Sequence, residues 1–441
     1  MEREGSIDAA PAAGGQVLDL GGAGRPTAIL PTATLVRLAV YWFGIAALWA
    51  GLSSLLAGRL QFAGLVPAGT EGTALFQMMA LGGILALVIQ PAVGAISDHT
   101  ASRWGRRRPY IVVGSLADVA FLVGIASSNT VVAIAAFVLA LQVSSNVAQG
   151  PYQGYIPDLV PARQVGLASG LVGLMLILGN VTGYVVGALA IATGEYAVAT
   201  VGLGLLEVAT MVVLVSGVHE GGIARPRGGR SWPAIALGAW GRDVLRERNF
   251  VWFVGSRLLV LTGGSILTNL APFYLGRTFG LPSAAAGGVL IALVGVVAAG
   301  TLASVLPAAR LSDRVGRRRV IWLSCLLGAI GLLVSAGAPA IPVAFAGAAL
   351  FGISAGTFLA VDWALLSELV PRASAGRFMG ISNVATGSAG LLAVAFGGTV
   401  MDLVGGPGRD PSGPRAALAL GAACFALGAL LLGPVREPGR G

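Results

Sequence analysis

The amino-acid sequence predicts an all-α membrane protein whose twelve transmembrane helices form two pseudo-symmetric six-helix bundles. Three observations point there. Of 441 residues, 56% are hydrophobic and 11% charged, less than half the roughly 25% charge of an average soluble domain. Twelve apolar runs are each long enough for a bilayer core of about 30 Å, which takes roughly 20 helical residues to cross. Finally, a polar loop pattern of the first half returns in the second.

The elements follow in order. Residues 1–33 are rich in Gly, Ala and Pro, carry Glu2, Glu4, Asp8 and Asp19, and lack the basic start and apolar core of a secretory signal; they read as a disordered cytoplasmic tail. The first bundle, 34–218, holds apolar runs at Leu35–Leu56, Ala74–Ile96, Tyr110–Ser127, Val131–Gln153, Gly166–Ala192 and Ala197–Val218. Residues 219–249, with Arg225, Pro226, Arg227, Gly228, Gly229 and Arg230, read as a cytoplasmic linker. The second bundle, 250–433, has runs at Phe250–Leu270, Ala284–Pro307, Val320–Ala336, Ile341–Leu366, Gly376–Val400 and Ala416–Leu432, before a tail at 434–441. The 67 glycines suit membrane helices whose backbones approach closely.

Charge sets the expected orientation. All 28 basic residues are arginine. With both termini in the cytoplasm, 23 arginines fall on the cytoplasmic side, Arg59, Arg277, Arg409 and Arg415 fall outside, and Arg257 lies within a span, as the positive-inside rule requires. Other classes drop out. Cys325 and Cys424 lie in apolar runs and His99 and His219 stand far apart, so neither a disulfide framework nor a metal site is expected. The basic excess is read as a lipid-facing topology signal, with no nucleic-acid partner.

The halves echo one another. Gly94, Ser97 and Asp98, then Gly105 and Arg106 to Arg108, match Ser312, Asp313, Gly316 and Arg317 to Arg319, with four fewer residues between the Asp and the Gly. Asp158, Leu159, Val160 and Pro161 match Glu368, Leu369, Val370 and Pro371, and the halves end alike in Val218-His219-Glu220 and Val435-Arg436-Glu437. This doubled Gly-x-x-Ser-Asp…Gly-Arg-Arg signature resembles the loop motif of the major facilitator superfamily over about Leu35 to Leu432. The resemblance implies two parallel halves rocking about a substrate held near the midplane. Around residues 90–160, Gln90, Pro91, Gly94, the Arg103 to Pro109 loop, Gln149-Gly150-Pro151 and Asp158 are similar to the sucrose–proton symporters and their glycoside, pentoside and hexuronide relatives. Those symporters carry an acid where this chain has Gln142 and an arginine where it has Gln153.

The loop motif offers a latch. Small Gly94 permits close packing, and Asp98 can accept from loop arginines. Arg103, Gly105, Arg106 and Arg107 with Asp158, and Asp313, Arg314, Gly316, Arg317 and Arg318 with Glu368, form two such candidate sets; the plainer reading has the arginines touching lipid phosphates. On the fourth helix Gln142, Asn146, Gln149 and Gln153 are spaced 4, 3 and 4 and share one face. Their paired donors and acceptors suit a ligand rich in hydroxyls, or they serve as interhelical glue. Trp49 on the first helix can stack on a sugar ring or simply pack.

Charges inside the spans are costly and usually functional. Arg257 and Asp362 are expected to pair, either as part of coupling or as a permanent bridge; Arg257 can also meet substrate. Asp118 is a second proton-coupling candidate, and Glu207 is a further buried acid. The expected function is secondary transport, a proton-linked uptake of a sugar or glycoside by a monomer in the cell membrane, with no cofactor beyond the proton, or sodium, as coupling ion. The rival readings are export of a drug-like or anionic solute and a membrane sensor without flux. An enzyme is not expected, since no nucleophile–base pair or metal cluster is visible.

Overall fold

The computed structural model of the protein describes residues 17–18, 28–100, 102–220, 229, 231–232, 247–369 and 375–436. The first half contains α1 (Thr32–Phe62), α2 (Glu71–Ser97), α3 (Arg108–Ser127), α4 (Val131–Gln153), α5 (Val165–Thr193) and α6 (Tyr196–Gly217). The second contains α7 (Arg248–Phe273), α8 (Ser283–Val315), α9 (Arg317–Ala336), α10 (Ile341–Leu369), α11 (Ala375–Leu392) and α12 (Ser412–Leu431). A short helix, Tyr155–Leu159, follows α4. Among the described residues eleven helices are long and apolar enough to cross a membrane; α2, outside that set, has 27 residues. This is a multi-pass membrane protein.

Local chemistry sets the helix ends. Pro109 occupies the first turn of α3, where a missing N–H costs nothing. The Thr130 hydroxyl accepts from the Ala133 N–H at 3.3 Å and starts α4. Gly194, at φ 81°, closes α5 in the left-handed conformation. Several spans outrun their apolar runs. α8 passes through Pro307 to Val315, because its last turns carry Arg310, Asp313 and Arg314 on a solvated surface and end only at Gly316. α7 continues as a π-helical turn, Tyr274–Thr278, and α11 continues through a π-helical segment, Ala393–Gly398, into Thr399–Gly405.

The halves pack alike. α1 lies against α5 and α6, α2 against α4, and α3 against α4 and α6; six helices on, α7 lies against α11 and α12, α8 against α10, and α9 against α10 and α12. Between halves α2 meets α11, α5 meets α8, and α1 meets α7, pairs that exchange under the same shift of six. The carbonyl ends of α3 and α9 are also treated alike. Arg59 donates to the Ile125 and Ser128 carbonyls at 3.1 and 2.7 Å, and Arg415 to the Ala338 carbonyl at 2.9 Å, cations on negative helix ends. Within the stretch assigned to the N-terminal tail, Leu30 is buried and its N–H donates to Gln164 Oε1 at 2.7 Å.

Candidate functional site

At the arginine-rich end the α2–α3 loop turns on Gly105. Its φ is 101°, and a Cβ there would stand 2.9 Å from the Glu220 carboxyl carbon, so only glycine fits. Gly316 repeats that conformation at φ 102°. Arg106 and Arg107 are buried and turn back toward the ends of α2 and α4. Arg106 pairs with Asp158; Arg107 Nη2 lies 2.7 Å from both Asp98 Oδ1 and Asp158 Oδ2. One guanidinium thus ties two helix ends together. A Cβ on Gly94 would come within 3.2 Å of the Gly150 carbonyl oxygen, which puts α2 and α4 in close contact there. Arg103 is exposed. In the second half Asp313 and Arg314 are exposed and Arg317 and Arg318 half-buried; the side chain of Glu368 lies outside the described residues.

Glu220, just past α6, is a member of this cluster to which the motif gave no role. Its Oε1 accepts the N–H groups of Arg107 and Arg108 at 2.7 and 2.8 Å, a carboxylate seated on the positive end of α3. The Tyr155 hydroxyl donates to the same oxygen at 3.3 Å. Burial, reinforced by the Glu220 charge, holds that hydroxyl well above its ordinary range and keeps it a donor. The repeated Val-x-Glu ending of each half was the available signal.

The α4 face is assembled by its own neighbours. Asn146 Nδ2 donates to the Gln142 carbonyl at 2.7 Å and to Gln142 Oε1 at 3.3 Å. Ser145 Oγ accepts from Gln149 Nε2 at 2.8 Å and from Trp49 Nε1 at 3.3 Å, which joins the amide face to α1. Gln153 is half-buried at the helix end. Gln142 lies over Gly82 of α2, and a Cβ on the next residue, Gly83, would stand 2.9 Å from Leu391 of α11. Polar contact across the halves continues at Ser53, whose hydroxyl donates to Asn269 Oδ1 at 2.8 Å.

In the second half Arg257 of α7 pairs with Asp362 of α10, both buried. Its Nε and Nη2 donate to Thr386 Oγ1 of α11 at 3.3 and 3.1 Å, and its guanidinium carbon lies 5.2 Å from the centre of the Trp363 ring. Thr386 and Trp363 are the exposed side of this cluster. Asp118 stands apart from it, on α3, where the Ser144 hydroxyl donates to it. Among the described residues no group of three or more His, Cys, Asp or Glu is placed to hold a metal ion.

The opposite end carries a network that the sequence did not disclose. Glu71, at the start of α2, is fully buried and accepts from Arg277 Nη2 and Arg409 Nε, each at 2.6 Å. Asp402 reciprocates: its Oδ2 accepts the Thr73 N–H of α2 at 2.7 Å and its Oδ1 lies 3.4 Å from Arg277. Gln61 Oε1 accepts from Arg277 Nε at 3.3 Å. The backbones touch here, since a Cβ on Gly72 would stand 2.7 Å from the Gly398 Cα. Arg277 and Arg409, expected in loops, belong to a buried seal between the halves.

Residues 65–432 match the model of the MFS/sugar transport protein family. The chain belongs to this family. Its members are transporters of the major facilitator superfamily and not enzymes. The transporter is 33% identical over 158 residues to the sucrose transport protein SUT1 of Oryza sativa, a match covering 31% of this chain and 28% of that protein. It is 33% identical over 180 residues to the sucrose transport protein SUC4 of Arabidopsis thaliana, covering 37% and 33%. The matched stretch is thus a third or less of those relatives' length. Among solved structures, a D-xylose–proton symporter superposes with a TM-score of 0.65 at 17% identity over 92% of this chain and 98% of that one. A nucleoside transporter, NupG, does so with a TM-score of 0.67 at 16% identity over 91% and 98%. These last likenesses concern the fold.

Proposed function

We propose that this transporter takes up a sugar or glycoside together with a proton, by alternating access, in a cell membrane with its arginine-rich loops in the cytoplasm. The observation that carries this reading is the α4 face. Gln142, Asn146, Gln149 and Gln153 supply amide donors and acceptors without charge, and Trp49 is joined to them through Ser145, the chemistry that hydroxyl groups and an apolar ring face ask for. The sucrose transport proteins among the relatives point the same way. Arg257 is already committed to Asp362, Thr386 and Trp363, so binding of an anionic solute there has to break an existing set of contacts. The ion-paired seal at one end and the arginine latch at the other are suited to opening in alternation. One proton moving through about 150 mV supplies roughly 3.5 kcal/mol, enough for an accumulation of a few hundredfold.

The test is uptake into reconstituted vesicles with an imposed pH gradient, against a panel of labelled mono- and disaccharides. Accumulation of one of them above equilibrium, abolished by an uncoupler, is the expected outcome. Uptake driven only by a sodium gradient overturns the proton, and accumulation of no sugar overturns the substrate class.

A further inference from the structure

Two acids lie deep in the first half with no cation beside them among the described residues. Asp118 of α3 and Glu207 of α6 are both fully buried, and their carboxyls stand within hydrogen-bonding reach of each other. The groups facing them are hydroxyls. From α4, Ser144 donates to Asp118 Oδ1, and Ser145 follows it on the same helix. From α1, the Tyr41 hydroxyl donates to Glu207 Oε1 at 3.1 Å and lies 2.6 Å from Ser115 Oγ of α3. One oxygen of each acid, Asp118 Oδ2 and Glu207 Oε2, is buried and lacks a hydrogen-bond partner. Backbone closes tightly around them: a Cβ on Gly44 would stand 2.9 Å from the Glu207 Cα, and one on Gly114 would stand 2.7 Å from the Ser144 carbonyl oxygen.

Two carboxylates in contact, away from water and without a counter-charge, do not both ionise. At least one proton stays on the pair, and a proton shared between the two carboxyls supplies a donor where each has an orphaned oxygen. Asp362, by contrast, has Arg257 as its counter-charge. The pair also has a polar way out. Ser145, the neighbour of Ser144 on α4, accepts N–H groups from Gln149 and Trp49, which leaves its own O–H uncommitted to them.

We propose that Asp118 and Glu207 are the proton-binding site of this transporter, a carboxyl pair that cycles between one shared proton and two and signals its state to the sugar face through Ser145. A hydronium gives up one proton and leaves as water; an O–H bond forms on the pair, whose charge passes from −1 to zero. Asp118 then donates to Ser145, displaces the Gln149 N–H, and frees that donor for a substrate hydroxyl. Loss of the proton to water on the other side reverses each change. Loading with proton and with substrate therefore favour each other, which is what symport requires. The role in coupling rests on the proposed uptake reading, whereas proton binding by the pair does not.

Infrared titration of the reconstituted protein reads the pair without any substrate. Wild type is expected to show a protonated-carboxyl C=O band that titrates with pH. Asp118→Asn and Glu207→Gln each lose it, and Asp362→Asn keeps it. In vesicles carrying a pH gradient, both pair variants are expected to exchange labelled sucrose across the membrane but to equilibrate it without accumulation, and Asp118→Glu to restore accumulation. A band unchanged in both pair variants overturns the proton site. Undiminished accumulation in them overturns its role in coupling, as does sodium-driven uptake that depends on the same two acids. If wild type moves no sucrose, the sugar reading fails and the infrared result still decides the site.

Discussion

Arg107 sits between Asp98 and Asp158, and its backbone N–H is held by Glu220, so a single residue collects three carboxylates, from the end of α2, the short helix after α4 and just past α6. Lysine replaces the rigid, weakly hydrated guanidinium, suited to a buried ion pair, by a strongly hydrated ammonium on a flexible stem. Arg107→Lys is therefore expected to slow turnover while leaving membrane insertion intact, as is Asp98→Ala; initial rates of solute uptake, normalised to protein in the membrane, check both, and unchanged rates remove the latch. Gly105→Ala places a Cβ against Glu220 at a φ that costs about 1–2 kcal/mol for a non-glycine residue, and a lowered melting temperature in detergent is the expected readout. Glu220→Gln removes the charge from the α3 N-terminus. Hydrogen bonds to charged groups contribute about 1.5–3 kcal/mol, so it too is expected to melt earlier.

The bridge between α7 and α10 is a pair in which each partner needs the other. Removing one side of a buried pair costs about 3–5 kcal/mol, because a charge is left without compensation. Asp362→Asn is expected to lose uptake and stability together, and Arg257→Asp combined with Asp362→Arg to recover part of the uptake; wild-type uptake in Asp362→Asn overturns a working role for the bridge. Elements were also where the sequence was most legible. The Val131–Gln153 run is α4 to the residue, because hydropathy and helix period agree there. α8 runs on to Val315, past the Ala284–Pro307 run, because a helix tolerates proline when its neighbours absorb the lost hydrogen bond and hydropathy does not follow its polar last turns. The polar stripe of α4 could be found from its spacing of 3 and 4. The role of Ser145 could not, since it depends on Trp49 arriving from another helix 96 positions away.

For the whole molecule, the doubled motif made the symmetry readable, while the seal between halves stayed hidden because its contacts across the halves join residues 206 to 338 positions apart. Hydropathy has no term for such distant charge pairs. Glu71→Gln takes its carboxylate from Arg409, leaves Arg277 only the more distant Asp402, and is expected to loosen this end alone. Amide hydrogen exchange at the start of α2 and the end of α11 should rise at least about tenfold, a local opening made easier by 1.4 kcal/mol or more, with the Arg107 cluster unaffected. The same seal bears on how the chain is made. Glu71 leaves the ribosome 206 residues ahead of Arg277, which at about 5–20 residues per second is roughly 10–40 s. During that interval the first half carries a carboxylate whose counter-charge does not yet exist. It is completed only by the second half, so a truncated product keeps an unmet charge in the membrane, a mark by which quality control can tell half a transporter from a whole one.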